Sequence, residues 1–170
     1  MKKPIQIALL FIPLLLGDGT ALAATDEPAN WQLRLAEDPL SNRTVCLMIS
    51  AVKHTEDGQT TTPVTIIYNG DAFIAKTESN IDLSYSNSGL QVDFHKAHNI
   101  DRVHKNTNVV FVTDVPQIVE EFKKGLVGRL TLGFWPTWPK SRTYTVEFDL
   151  RGFSRTYKAF RLCQNGNESH

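Results

Sequence analysis

Tyr144-Thr145-Val146-Glu147-Phe148-Asp149-Leu150 is the stretch on which the fold turns. Tyr144, Val146, Phe148 and Leu150 share one face, and Thr145, Glu147 and Asp149 share the other. Successive side chains of a strand point to opposite faces, so strict alternation gives an apolar side and a polar side. That is the pattern of an antiparallel strand with one face on a core and one in water. The same period recurs upstream. Leu130, Leu132 and Phe134 alternate with Arg129, Thr131 and Gly133. Leu90, Val92 and Phe94 alternate with Gln91, Asp93 and His95, and Ile81, Leu83 and Tyr85 with Asp82 and Ser84. Residues 45–52 and 109–112 are apolar on both faces and read as central strands. Residues 63–68 and 73–76 flank Asn69-Gly70, a hairpin turn signal.

Two segments read as helices. Asp114 caps one that runs to about Lys124, with Val115, Ile118, Val119 and Phe122 on one side and Gly125 as its stop. Ser154 caps the other, from about Arg155 to Cys163, where Phe153, Tyr157 and Phe160 recur at helical spacing and Ala159, Leu162 and Cys163 extend the stripe. The expected fold is mainly β, an antiparallel two-sheet sandwich or a partly closed barrel with two short helices at its edge or open end. With no repeat and no linker, residues 31–163 read as a single domain between a mobile segment at 24–30 and a polar tail at 164–170.

The start of the chain reads as an address. Lys2 and Lys3 precede a short apolar run from Ile5 to Leu16, which Gly17, Asp18 and Gly19 break before Ala21-Leu22-Ala23. That run is too short for a spanning helix of ~20 residues and fits a bacterial secretory signal, residues 1–23, cut after Ala23. The expected location is the periplasm or the exterior. The 18 basic residues balance 18 acidic ones, which excludes a strongly basic nucleic-acid binder. Two cysteines exclude both a disulfide-dense scaffold and a four-cysteine zinc site. In an oxidising compartment the default for Cys46 and Cys163 is a bond with each other; a free reactive thiol is the competing reading, and no CxxC pattern speaks for redox work.

The C-terminal third carries Lys123-Lys124-Gly125 at a helix end, then a strand, then Tyr144 to Leu150 leading into Arg151-Gly152-Phe153 and an amphipathic helix. This resembles the invasion-associated locus B family of secreted bacterial proteins, whose members end in a similar apolar strand, a Leu-x-Gly-Phe step and a short final helix. Trp31 followed by the Cys46 strand is similar to the family's N-terminal part. The resemblance covers most of residues 31–163 and is best over 120–163. Family members commonly carry further cysteines in mid-domain, and this chain has none there. The resemblance implies an exported β-rich domain, linked in some pathogens to host-cell invasion, and no catalytic residues.

Four constellations bear on chemistry. His95, His98 and His104, with Asp93 and Asp101 nearby, form the candidate metal set, although their spacing matches no established zinc pattern. No serine lies in a Gly-x-Ser-x-Gly elbow and no phosphate loop occurs. Trp135-Pro136-Thr137-Trp138-Pro139 is a rigid aromatic connection that either presents indoles outward or covers the core. Arg151, Arg155, Lys158 and Arg161, spaced at three and four residues, share a helical face with Lys140 and Arg142 close in sequence. Such a patch suits an anionic lipid surface or an acidic partner, or is the solvated side of an amphipathic helix.

The expectation is therefore a non-enzymatic β-domain that needs no cofactor. It acts by contact with an envelope or host protein, through Trp135 and Trp138 or through the basic face. The alternative is a metal-dependent or hydrolytic periplasmic enzyme built on the three histidines.

Overall fold

The computed structural model describes residues 29–136 and 142–167. The expected signal peptide, residues 24–28 and 168–170, Trp138 and Lys140 lie outside that range. The first half of the chain forms β1 (Trp31–Glu37), β2 (Thr44–Ser50), β3 (Lys53–Glu56), β4 (Thr61–Tyr68), β5 (Phe73–Lys76) and β6 (Asn80–Ile81). β7 (Gly89–Val92), β8 (His98–Asn99), β9 (Arg102–His104) and β10 (Asn108–Phe111) lead into α1 (Val115–Lys124). β11 (Val127–Leu132), β12 (Phe134–Trp135) and β13 (Tyr144–Asp149) precede α2 (Phe153–Asn167).

A large sheet has the order β1-β2-β4-β5-β10-β9, with β3 also paired to β4. A second sheet has the order β13-β11-β7-β8, and β12 pairs with β6. All these pairings are antiparallel. No sheet closes on itself among the described residues, so the mainly β, antiparallel architecture is sandwich-like and not a closed barrel. The opening stretch behaves as its alternation requires: in β13, Tyr144, Val146 and Phe148 are buried while Thr145 and Glu147 are exposed.

Strands β2 and β10 are central, each with a partner on either side. Their two-faced apolar character has a specific cause. The inner face of the large sheet sends Cys46, Met48, Val64, Ile66, Phe73, Val109 and Phe111 into the main core, where they meet Leu90, Val92, Leu130, Val146 and Phe148 of the second sheet. The outer face carries a smaller core of Leu47, Ile67, Ala72, Ile74 and Val110. Leu40, from the loop between β1 and β2, packs on this smaller core. Asp38 shapes that loop by accepting from the Leu40 and Ser41 amides, the Ser41 hydroxyl and Asn69 Nδ2.

Both helices fall where the 3.6-residue period put them, with altered ends. Gly125 stops α1, but in an extended conformation (φ −78°) rather than a left-handed one. Glycine is needed there for space, since a Cβ would sit 2.5 Å from Val92 Cγ1. Ser154 does not cap α2. It lies inside the first turn, and its hydroxyl donates to the Lys123 carbonyl at 3.1 Å, satisfying one of the open carbonyls at the end of α1. The helix also continues past Cys163, to Asn167, with Gln164 Nε2 donating to the Asn69 carbonyl.

Three strand readings are corrected. Phe94 is 98% exposed rather than in the core. Asp93 turns the chain at φ 46° and accepts from the Leu126 and Val127 amides, which ends β7 at Val92 and swings Phe94 outward. Leu83 is exposed, and only Asn80 and Ile81 of its segment pair as strand. The β4–β5 connection is wider than a two-residue hairpin: Tyr68 pairs with Phe73, Asn69 Oδ1 accepts from the Asp71 and Ala72 amides, and Gly70 takes φ 106°.

Cys46 of β2 is bonded to Cys163 of α2, with Cα atoms 6.2 Å apart and 117 positions between them in sequence. Thiol titration of the denatured, unreduced protein is expected to find no free cysteine. Replacing both cysteines by serine is expected to cost about 2–5 kcal/mol in denaturant unfolding, and wild-type protein treated with reductant should lose a similar amount.

Candidate functional site

The last helix is amphipathic in an unusual way. Phe153 and Phe160 are fully buried, Tyr157 is half-buried, and Leu162 is 73% exposed. The apolar stripe expected to include Ala159 and Leu162 therefore narrows, because α2 lies in the angle between β1, β2 and α1 and buries one side only. The C-terminal end of α1 lies against it. Lys123 Nζ stands 4.3 Å from the centre of the Tyr157 ring and 2.8 Å from Glu120 Oε1. Together with the Ser154–Lys123 hydrogen bond, these contacts fix one helix against the other.

A groove of about 650 Å³ runs between them, lined by Lys123, Ser154, Tyr157, Lys158, Arg161 and Leu162. Three cations and two apolar side chains line it, and among the described residues no carboxylate does. Behind its wall, burial and the neighbouring Tyr157 push the Tyr68 hydroxyl up to about 12, so it stays neutral; it donates to the Gly70 carbonyl.

The expected basic stripe is thus divided. Lys158 and Arg161 line the groove, and Arg155 is exposed beside it. Arg151 precedes the helix and is bound to Asp149, its Nε 2.8 Å from Oδ2. That hydrogen bond, with the Arg151 amide and charge, holds the Asp149 carboxyl at about 2. Arg151 lines a different depression, with Lys53, Leu126, Val127, Glu147, Phe148 and Asp149. Trp135 is 65% exposed, while its neighbour Phe134 is in the core. The groove residues missed in sequence are Lys123, Ser154, Tyr157 and Leu162. In sequence Lys123 marks only a helix end, and Tyr157 belongs to the apolar stripe of α2 with Phe153 and Phe160.

The three histidines are not gathered into one site. His95 is exposed, His104 lies on β9, and His98 on β8 is only 4% exposed. Both His98 ring nitrogens are occupied: Nδ1 is 3.2 Å from Asp114 Oδ2 and Nε2 is 2.8 Å from Glu121 Oε2. Glu121 is itself 8% exposed, and its other oxygen accepts from Gln117 Nε2. This cluster fastens β8 to α1. Among the described residues, no group of three or more His, Cys, Asp or Glu is placed to hold a metal ion.

His98→Ala would take from the buried Glu121 side chain one of its two partners, leaving Gln117. The expected cost is about 1–3 kcal/mol, with partial recovery when Glu121→Gln is added, both read by urea unfolding. A second test concerns acid. The folded-state value of Asp149 lies below its unfolded value, so its contribution to stability is complete above the ordinary aspartate range and is lost as pH falls from there through about 2. Arg151→Ala should flatten that part of the stability–pH curve. Compared with known proteins, the chain matches no family model, no curated protein and no solved structure.

Proposed function

We propose that this is an exported, non-enzymatic domain of the periplasm or cell envelope that works by binding another protein, with the α1–α2 groove as its working surface. The observation that carries this reading is the groove itself. It is an open hollow with apolar side chains and three cations, built from two helices, of which α2 is covalently bonded to β2 and α1 is packed into the core. Binding sites have this form, with apolar lining and a few placed polar groups. Export is supported by the apolar leader that ends at Ala21-Leu22-Ala23, and by the pairing of the chain's two cysteines. The resemblance of residues 120–163 to the invasion-associated locus B family supports an envelope or host protein as partner. Trp135, exposed on β12, is a second contact point of the same kind.

A photo-crosslinking side chain at position 162, in cells, is expected to give a discrete protein adduct that a crosslinker at the exposed Leu35 does not give. The adduct should be found in the envelope fraction. Absence of any adduct, or a purely cytoplasmic protein, would remove the proposal. Stoichiometric zinc in the purified protein, lost on substitution of the exposed His95 with the fold intact by circular dichroism, would replace it with the metal-enzyme reading.

A further inference from the structure

We infer that the occupant of the α1–α2 groove is an acidic protein segment that inserts one apolar side chain as an anchor. This deepens, and rests on, the contact reading above. Three properties of the groove select that chemistry.

The first is charge. Lys158 and Arg161 have no carboxylate partner among the described residues, whereas Lys123 is shared with Glu120. An unneutralised pair on one helical face attracts and orients an anionic ligand, and it penalises a cationic one.

The second is shape. A volume of about 650 Å³ is that of a pocket for a few side chains. It is an open hollow, with the half-buried Tyr157 ring as its floor and the exposed Leu162 at its rim. A membrane-surface helix needs the opposite form, a projecting apolar face beneath a basic one. Here the apolar face of α2 is turned inward, with Phe153 and Phe160 fully buried, and Leu162 alone among its large apolar side chains projects. The groove therefore favours a protein segment over a lipid surface.

The third is rigidity. The Cys46–Cys163 bond, the Ser154–Lys123 hydrogen bond and the stacking of Lys123 on Tyr157 hold the walls in place before any ligand arrives. Little ordering remains to be done on binding, which favours a short linear segment whose own ordering is the main cost. Lys158, Arg161 and Leu162 lie within one turn of each other, so the acids of the segment must flank its anchor closely rather than lie at a distance.

The experiment uses the full protein and a fluorescently labelled short peptide of Asp and Glu around one central Phe. Anisotropy should report binding that weakens with salt. The doubly substituted Lys158→Ala/Arg161→Ala protein should bind about tenfold more weakly, and Leu162→Ser, or a peptide with Ser in place of Phe, should lose binding as well. These side chains are exposed, so circular dichroism should show every variant folded. Binding that ignores the variants overturns the inference, as does binding to phosphatidylglycerol vesicles in place of the peptide. A protein captured in cells at position 162, combined with no binding of the peptide, overturns the acidic occupant and leaves the contact reading standing.

Discussion

The domain depends on one cluster of aromatic rings. Trp31 from β1, Tyr68 from the end of β4, Phe73 from β5, Phe122 from α1 and Phe153 and Phe160 from α2 meet with ring centres 4.7–6.3 Å apart. Several pairs are edge-on, the geometry that the ring quadrupole favours. Removing a buried Phe from such a core costs roughly 3–5 kcal/mol, a large part of a domain's net stability. Trp31 also donates its indole N–H to the Asp149 carbonyl at 3.0 Å, so the first strand of one sheet is tied to the last strand of the other. Sheets and helices thus share one set of contacts, and α2 is part of the core rather than an appendage.

Around that core, acids in loops do the local fastening. Asp57 accepts from the Gln59 and Thr60 amides and the Ser79 hydroxyl, and Asp101 from the Val112 and Thr113 amides and the Thr113 hydroxyl. Partial burial alone would raise these carboxyls. The hydrogen bonds outweigh it and hold both below the ordinary aspartate range, as they do for Asp38. The loops are therefore organised by ionised groups that gather backbone amides. Asp101, weighed in sequence only as a neighbour of the candidate metal histidines, is one of these joints.

This explains what could and could not be read from the chain. Long alternating runs such as 144–149 were legible because burial on one face imposes a period of two. The doubly apolar runs of β2 and β10 were legible as central strands, although the small outer core that makes them so depends on a loop with no periodicity. Phe94 was not legible, because a single turn at Asp93 overrides an alternation that continues on paper. The basic stripe was half legible: helical spacing put Lys158 and Arg161 together, but it could not show that Asp149 would take Arg151, nor that a lysine from another helix would complete the surface. Pairing across the fold leaves no local trace in sequence.

The disulfide also sets an order in time. Cys46 emerges early and Cys163 only after every strand and most of α2 has been made, so the covalent ring cannot close while the chain is still being extended through them. Until then Cys46, deep in the central strand β2, is a lone thiol waiting on a segment that does not yet exist. A chain that stops short of α2 loses in one stroke its closure, two rings of its aromatic cluster and one wall of its groove, and it is left marked by an unpaired sulfur.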